Sequence, residues 1–195
     1  MSYELHIFID TETTGLGHVA TPQRDDAIIE IGIAYRDRHN FIRKKSYICN
    51  PGPEYFKNGH SDEALSVSKI DVGDILAAKP DYDVAIDARN LFNTLRQYQK
   101  LVFHAYNMPF DSVFLQKDPW NFDLTWGSDV MNMAHDFFNL PDDWRISLRR
   151  SLELLDIIPQ GQPHRADTDA VSTLMLYERI ENERIKREME ENKHD

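Results

Sequence analysis

A chain of 195 residues, 41 % hydrophobic and 28 % charged, is sized for one domain with a buried core, which excludes disorder of the whole chain. Thirty-three acids against twenty-two bases give a net charge of −11, which repels nucleic acid unless metal ions or basic patches offset it locally. No run approaches the ~20 apolar residues needed to cross a bilayer, and Met1-Ser2-Tyr3-Glu4 lacks the basic region and apolar stretch of a signal peptide. The expectation is a cytoplasmic protein with no membrane partner. The single cysteine, Cys49, permits no intramolecular disulfide and no cysteine zinc site, so any metal must be sought among carboxylates and histidine. Cys49 itself reads as a small buried apolar residue.

Leu5 to Ile9 is an apolar run ending in Asp10 and predicts a buried strand whose carboxyl end opens onto a loop from Thr11 to Gln23. Ala27 to Tyr35 and Phe41 to Ile48, joined by polar Arg36 to Asn40, predict two more strands in a meander. Pro51 to Ser61 reads as loop, and the weak pattern from Asp62 to Lys79 allows a short helix without defining one. Val84, Ala88, Leu91, Leu95 and Tyr98 alternate at spacings of four and three, one apolar stripe of a helix ending near Gln99. Leu101 to Ala105 predicts a fourth, buried strand. Asn107 suits an N-cap and Pro109 a first turn, so a short helix should run from Pro109 to Gln116. Further helices are expected at Ser128 to Asn139, Ser147 to Leu155 and Asp167 to about Lys186. Strands alternating with helices point to an α/β sheet carrying parallel and antiparallel pairs. Residues 1–178 are expected to form the folded unit. Residues 179–195 read as a charged helix end or tail, with pairs such as Glu183 and Arg187 at i, i+4.

Asp10 and Glu12 stand two apart in Phe8-Ile9-Asp10-Thr11-Glu12-Thr13-Thr14-Gly15-Leu16. On a continuing strand they face the same way. Carboxylates so placed are either a solvated strand end or hard oxygen ligands of a shared cation such as magnesium or manganese. The segment from Asp10 to Leu16 resembles the first motif of the DnaQ-like 3′-to-5′ exonucleases, the group called DEDDh. Two later segments are similar to that family's remaining motifs, in the same order: His104-Ala105-Tyr106-Asn107-Met108-Pro109-Phe110-Asp111 and His164-Arg165-Ala166-Asp167-Thr168-Asp169-Ala170. Ser147 to Leu152 is similar to a Ser-Leu-containing helix of these enzymes, and the similar segments together run from about Tyr3 to Leu176.

The resemblance implies an RNase H-like α/β fold, a central mixed sheet of about five strands with helices on both faces. It implies a metal-dependent 3′-to-5′ exonuclease that hydrolyses phosphodiester bonds at single-stranded 3′ ends and releases nucleoside 5′-monophosphates. Asp10, Glu12, Asp111 and Asp169 are then expected to hold two Mg2+ ions, with Mn2+ as a substitute and Asp10 bridging both. Such ions, about 3.5–4 Å apart, position and acidify the attacking water and stabilise the leaving 3′ oxygen. Without metal the four carboxylates would raise one another's pKa values. His164 is expected as the general base, since imidazole titrates near neutrality, on a loop hinged at Gly161-Gln162-Pro163. Thr13, Gly15 and Leu16 are expected at the terminal nucleotide, Leu16 as a wedge between the last two bases.

Phe110 is a candidate stacking face for a base, while Phe114 reads as core. Arg145, Arg149, Arg150 and Arg165 flank the third motif as a candidate phosphate track, Arg165 foremost; Arg36, Arg38, Arg43, Lys44 and Lys45 read as solvated charge. Asp129 and Asp167 read as helix-start residues, His104 and His135 as structural, and His6, His18, His39, His60 and His194 as exposed. Trp120, Trp126 and Trp144 are assigned to core or rim. The form of the first motif favours DNA as substrate. The alternatives are an RNA-trimming exoribonuclease similar to RNase T or oligoribonuclease, and a non-catalytic RNase H-like module that binds nucleic acid or protein. A polymerase or other protein partner and a homodimer both stay open.

Overall fold

The computed structural model describes residues 4–16, 26–59, 61–97 and 99–192. Tyr98 of the predicted helical stripe, residues 17–23 of the predicted loop, and His18, His60 and His194 lie outside them. Three antiparallel strands open the fold: β1 (Glu4–Thr13), β2 (Ile28–Arg36) and β3 (Ile42–Asn50). β1 continues four residues past the predicted end at Ile9, because Asp10 to Thr13 stay paired to β2 across a register shift at Glu12 and Thr13. The predicted loop Pro51 to Ser61 holds a 3-10 turn (Pro53–Gly59), and the weakly patterned region after it holds two helices, α1 (Asp62–Ser68) and α2 (Val72–Ala77). The Asp71 carboxylate starts α2 by accepting the Gly73 N–H at 2.7 Å.

Two-residue β4 (Lys79–Pro80) leads into α3 (Asp81–Arg96), which crosses over to β5 (Lys100–Ala105), parallel to β1. There follow α4 (Met108–Leu115), β6 (Trp126–Asp129), α5 (Val130–Phe137), α6 (Leu148–Leu154) and α7 (Ala166–Glu191). The sheet order is β4-β3-β2-β1-β5-β6. It is the expected mixed sheet, with six strands in place of about five. The helix expected from Ser128 begins at Val130, because Trp126 and Asp129 pair with Phe103 and Ala105 of β5 and the Asp129 side chain then caps α5. α7 runs unbroken through residue 178, and Ile180 beyond that point is fully buried against the core.

Alternation along the strands sorts the core into two layers. Ile7 and Ile9 of β1, Ile31 and Ile33 of β2 and Phe103 of β5 pack beneath α3 and α4 with Val84, Ala88, Phe92, Phe114 and Leu115. Phe8 and Ala34 point to the opposite face, against α5, α6 and α7. Asp10 and Glu12 share the parity of Phe8 and therefore face α7. The seat of α7 is set by Gly32 on β2: a Cβ there would lie 2.0 Å from the Ala166 carbonyl carbon and oxygen and 2.4 Å from the Asp167 nitrogen. Only a hydrogen fits, and Gly32 is the residue opposite Asp10 in the sheet.

Gly32→Ala must push the first turn of α7 away from the sheet. Overpacking of this kind costs about 1–3 kcal/mol or more, so a thermal melt should fall by several degrees, and an unshifted melt would contradict the close approach.

Candidate active site

Three elements deliver four acidic side chains to one place. β1 presents Asp10 opposite Gly32 and Glu12 opposite Glu30. Asp111 sits in the first turn of α4, buried, and its Oδ1 accepts the Thr11 N–H at 3.0 Å and the Thr11 hydroxyl at 2.8 Å. The start of α4 is tied down by Asp129, whose Oδ2 accepts the Met108 N–H at 3.1 Å while its Oδ1 accepts the Asn132 N–H at 2.9 Å. Asn107 holds the N-cap position but makes no side-chain cap bond; the expected capping role passes to Asp129, which leaves the Asn107 side chain to the cleft. α7 brings Asp169 in its first turn. The loop before it turns sharply, with Gly161 at φ 134° and His164 at φ 59°. A histidine in the left-handed region is uncommon and is found where the surroundings demand it. The demand here is visible, since the His164 N–H donates to Asp169 Oδ2 at 3.2 Å and so sets the imidazole beside that carboxylate.

Asp10, Glu12, Asp111, His164 and Asp169 line a single open cleft of about 200 Å³, together with Thr11, Tyr106, Asn107, Phe110 and Leu148. Donor atoms of Glu12, His164 and Asp169 lie within 4.8 Å of one another. Burial first, then the neighbouring acids Asp111, Asp169 and Glu12, pushes Asp10 well above the usual carboxylate range. Burial and the Asp169 charge push Glu12 up to about 8. Burial lifts Asp111 to about 7 against the two Thr11 hydrogen bonds that pull it down, and burial also raises Asp169. Carboxylates held together at this cost fit a hard divalent cation, which would replace mutual repulsion by attraction.

Thr13, Gly15 and Leu16, expected at the terminal nucleotide, follow Glu12 at the end of β1 without lining this cleft. Thr13 is buried with its hydroxyl on the Gly15 carbonyl at 2.6 Å, Gly15 lies against the Asp26 carboxylate, and Leu16 projects 62 % exposed just past β1. Phe110 lines the cleft half-buried with its ring 5.1 Å from Phe114, which is core. Arg165 differs from expectation. Its guanidinium is bound to both oxygens of Glu30 at 3.0 and 2.8 Å, so it is not free to follow a phosphate. His6, expected to be exposed, is half-buried and bonds through Nδ1 to His104 Nε2 at 2.8 Å. His104 is structural as expected, and burial lowers it to about 4.

Glu30 is the functional position that sequence reading overlooks. Fully buried, it takes hydrogen bonds from Arg165, from the Ser46 hydroxyl and from the Ala166 N–H at 3.1 Å. It thereby holds the residue after His164 and the first residue of the helix that carries Asp169. Within the apolar run Ala27 to Tyr35 the one acidic residue is the available signal.

Comparison with known proteins matches residues 7–177, nearly the whole chain, to the family described as Exonuclease (RNase_T). The chain belongs to this Exonuclease family. No curated protein sequence matches it. Among solved structures, a full-length 3′-exonuclease aligns with a TM-score of 0.71 at 17 % identity, over 94 % of this chain and 62 % of that one. A 3′-exonuclease in 3′-end specific recognition of histone mRNA stem-loop gives 0.72 at 17 % identity, over 94 % and 84 %. E. coli Exonuclease I in complex with a dT13 oligonucleotide gives 0.66 at 18 % identity, over 90 % and 40 %. The chain thus spans under two thirds of the first and third of these. These likenesses establish the RNase H-like fold. Membership of the Exonuclease family implies dependence on a divalent metal, which the carboxylate and histidine donors of the cleft suit. No described helix is long and apolar enough to cross a membrane.

Two outcomes follow from the electrostatics. The unfolded chain releases carboxyl protons near the ordinary values of 3.8 and 4.5, whereas folded Glu12 and Asp111 retain theirs to about 8 and 7. The folded state therefore binds more protons over that interval, and the metal-free Exonuclease-family protein should lose stability as pH rises from about 4 to 8. Magnesium chloride at about a hundred times its dissociation constant should restore about 2.7 kcal/mol at pH 8, a rise in Tm of roughly 5–11 °C for a chain of this size. A melt that climbs with pH, or ignores the salt, contradicts the clustering. Glu30→Ala strands Arg165 and orphans the Ala166 N–H, which should cost about 3 kcal/mol in chemical denaturation.

Proposed function

We propose that the chain is a 3′-to-5′ exonuclease that hydrolyses the last phosphodiester bond of a single-stranded nucleic acid. The observation that carries this reading is the convergence of Asp10, Glu12, Asp111, His164 and Asp169 on one cleft. Water attacks the terminal phosphorus, the bond from phosphorus to the upstream 3′ oxygen breaks, and a nucleoside 5′-monophosphate leaves a chain shortened by one. Two divalent cations, Mg2+ or Mn2+, would activate the water and stabilise the departing oxygen when bound.

The protein's own residues have separable tasks in this reaction. His164, exposed at the cleft mouth beside Asp169, accepts the proton of the attacking water and returns it to solvent. Asp10, Glu12 and Asp169 supply oxygen donors from rigid elements. Asp111 has one oxygen fixed by Thr11, leaving Oδ2 to face the cleft ligands. Phe110 offers its ring within the cleft as a stacking face for a base, and exposed Leu16 is a wedge at the strand end. The substrate is a single-stranded 3′ end, DNA ahead of RNA on the form of the first motif. Residues 1–178 carry the activity in this reading, and a cytoplasmic setting suits the lone buried cysteine.

Purified protein incubated with 5′-labelled DNA and RNA oligomers and magnesium should give a ladder shortened from the 3′ end, abolished by chelator. Asp10→Ala should abolish turnover, and His164→Ala should lower kcat by roughly 10²- to 10⁴-fold. Full activity of Asp10→Ala would refute the reading, and shortening of RNA alone would move the substrate to the exoribonuclease alternative.

A further inference from the structure

The structure separates the four arginines that flank the third motif. Arg149 and Arg150 are paired with Glu153 at 2.9 and 3.3 Å, and Arg165 with Glu30 at 2.8 Å. Arg145 makes no ion pair with a described residue. In the other basic cluster three members are engaged in the same way, Arg36 with Glu178, Arg43 with Asp37 and Lys44 with Asp167, while Arg38 bonds His39 and Lys45 lies over the Tyr47 ring. In a chain of net charge −11 with acids in excess, an exposed guanidinium without a carboxylate partner is a position where attraction to an anion survives.

Its sequence neighbour points to the same kind of ligand. Trp144 is 61 % exposed, whereas Trp120 is buried at 3 % and Trp126 packs on the core. Trp144 and Arg145 line a second cleft of about 140 Å³ with Asn132, His135 and Asp142. This cleft adjoins the catalytic one. Ile146 lines the second cleft and Leu148 the first, two residues apart and so at most about 7 Å along the chain. Tyr106, a wall of the catalytic cleft, donates its hydroxyl to the Ile146 carbonyl at 2.6 Å and so anchors the segment on the rim.

We propose that this second cleft binds a nucleotide of the single strand upstream of the two that flank the bond being cleaved, its base stacked on Trp144 and a backbone phosphate on Arg145. The proposal takes its ligand from the exonuclease reading. An aromatic face accepts any base, and a planar guanidinium holds phosphate bidentately, so the pair fits a single strand without selecting its sequence. The His135 ring forms part of the wall, held by the Pro141 carbonyl at 2.9 Å and by Asp136, contacts that raise its pKa and favour the charged imidazolium. Asp142 opposes a phosphate in the same cleft, which supplies a variant of opposite sign.

The test is the KM for a dinucleotide divided by the KM for a twelve-residue oligomer, measured with dT and with rU strands. Trp144→Ala and Arg145→Gln should each lower this ratio on the order of tenfold, within the range of about 5- to 150-fold known for loss of one stacked base. Trp144→Phe should recover most of it, Asp142→Asn should raise it, and Arg145→Gln should flatten the salt dependence by about 0.7 in log-log slope. A ratio equal to wild type in Trp144→Ala and Arg145→Gln, both folded by thermal melt, overturns the subsite. Wild-type protein that cleaves neither length defeats the exonuclease reading instead. Fluorescence anisotropy of labelled dT12 and rU12 with the same variants then decides the subsite alone, weaker binding upholding it and equal binding overturning it.

Discussion

The seating of a helix start on a strand that lacks a side chain governs this molecule. Because Gly32 carries only hydrogen, the Ala166 carbonyl can touch β2 directly opposite Asp10, and the first turn of α7 is brought down beside the carboxylates of β1. Any larger residue would lift α7, and Asp169 with it, out of reach. The same contact fixes His164, whose backbone is bonded to Asp169 and whose left-handed turn is the way the loop reaches a helix start held so close to the sheet. Packing therefore imposes a separation among acids that electrostatics alone would enlarge.

Glu30 shows how the fold withstands this. A buried carboxylate next to Glu12 adds to the repulsion, and it raises Glu12, Asp10 and Asp169 alike. It is also the most fully hydrogen-bonded acid of the region, held by Arg165, Ser46 and the Ala166 N–H. Buried ion pairs of this sort contribute little net stability but specify one arrangement strongly, since removal of either partner leaves an uncompensated group. Strain at a functional cluster and compensation just outside it are the expected signature of a site whose local rules yield to a ligand absent from the polypeptide.

Much of this was readable in advance and some was not, for physical reasons. β1, β2 and β5 are runs of branched and aromatic residues long enough to declare themselves, and the i, i+2 placement of Asp10 and Glu12 needed only the strand to continue. β6 was invisible because four residues, Trp126 to Asp129, including a glycine, show no alternation and run into a helix. α3 follows its stripe, and α7 extends past the expected end near Lys186 to Glu191, where the sequence is merely charged. The partners of polar groups were the least legible. Asn107 and Asp129 both look like caps, and only the fold shows Asp129 serving two helix starts while Asn107 turns to the cleft. Arg165 looked free beside His164 because its partner lies 135 residues away in sequence.

The excess of acids then takes on a meaning beyond solubility. Most of the arginines and lysines near the cleft are neutralised by neighbours, so the protein surface offers a nucleic acid little general attraction, and the cleft itself, lined by carboxyl groups, offers a phosphate no positive charge of its own. On the exonuclease reading, a strand can therefore settle only where cations invert the local field, and stacking on aromatic side chains must supply much of the remaining affinity. Such a site would couple metal and substrate thermodynamically, each binding more tightly with the other present, since the cations offer the phosphate positive charge and the phosphate gives the cations a further anionic ligand. On the same reading a cleft built from acids would be a filter, holding a phosphodiester in the company of divalent cations and only weakly without them.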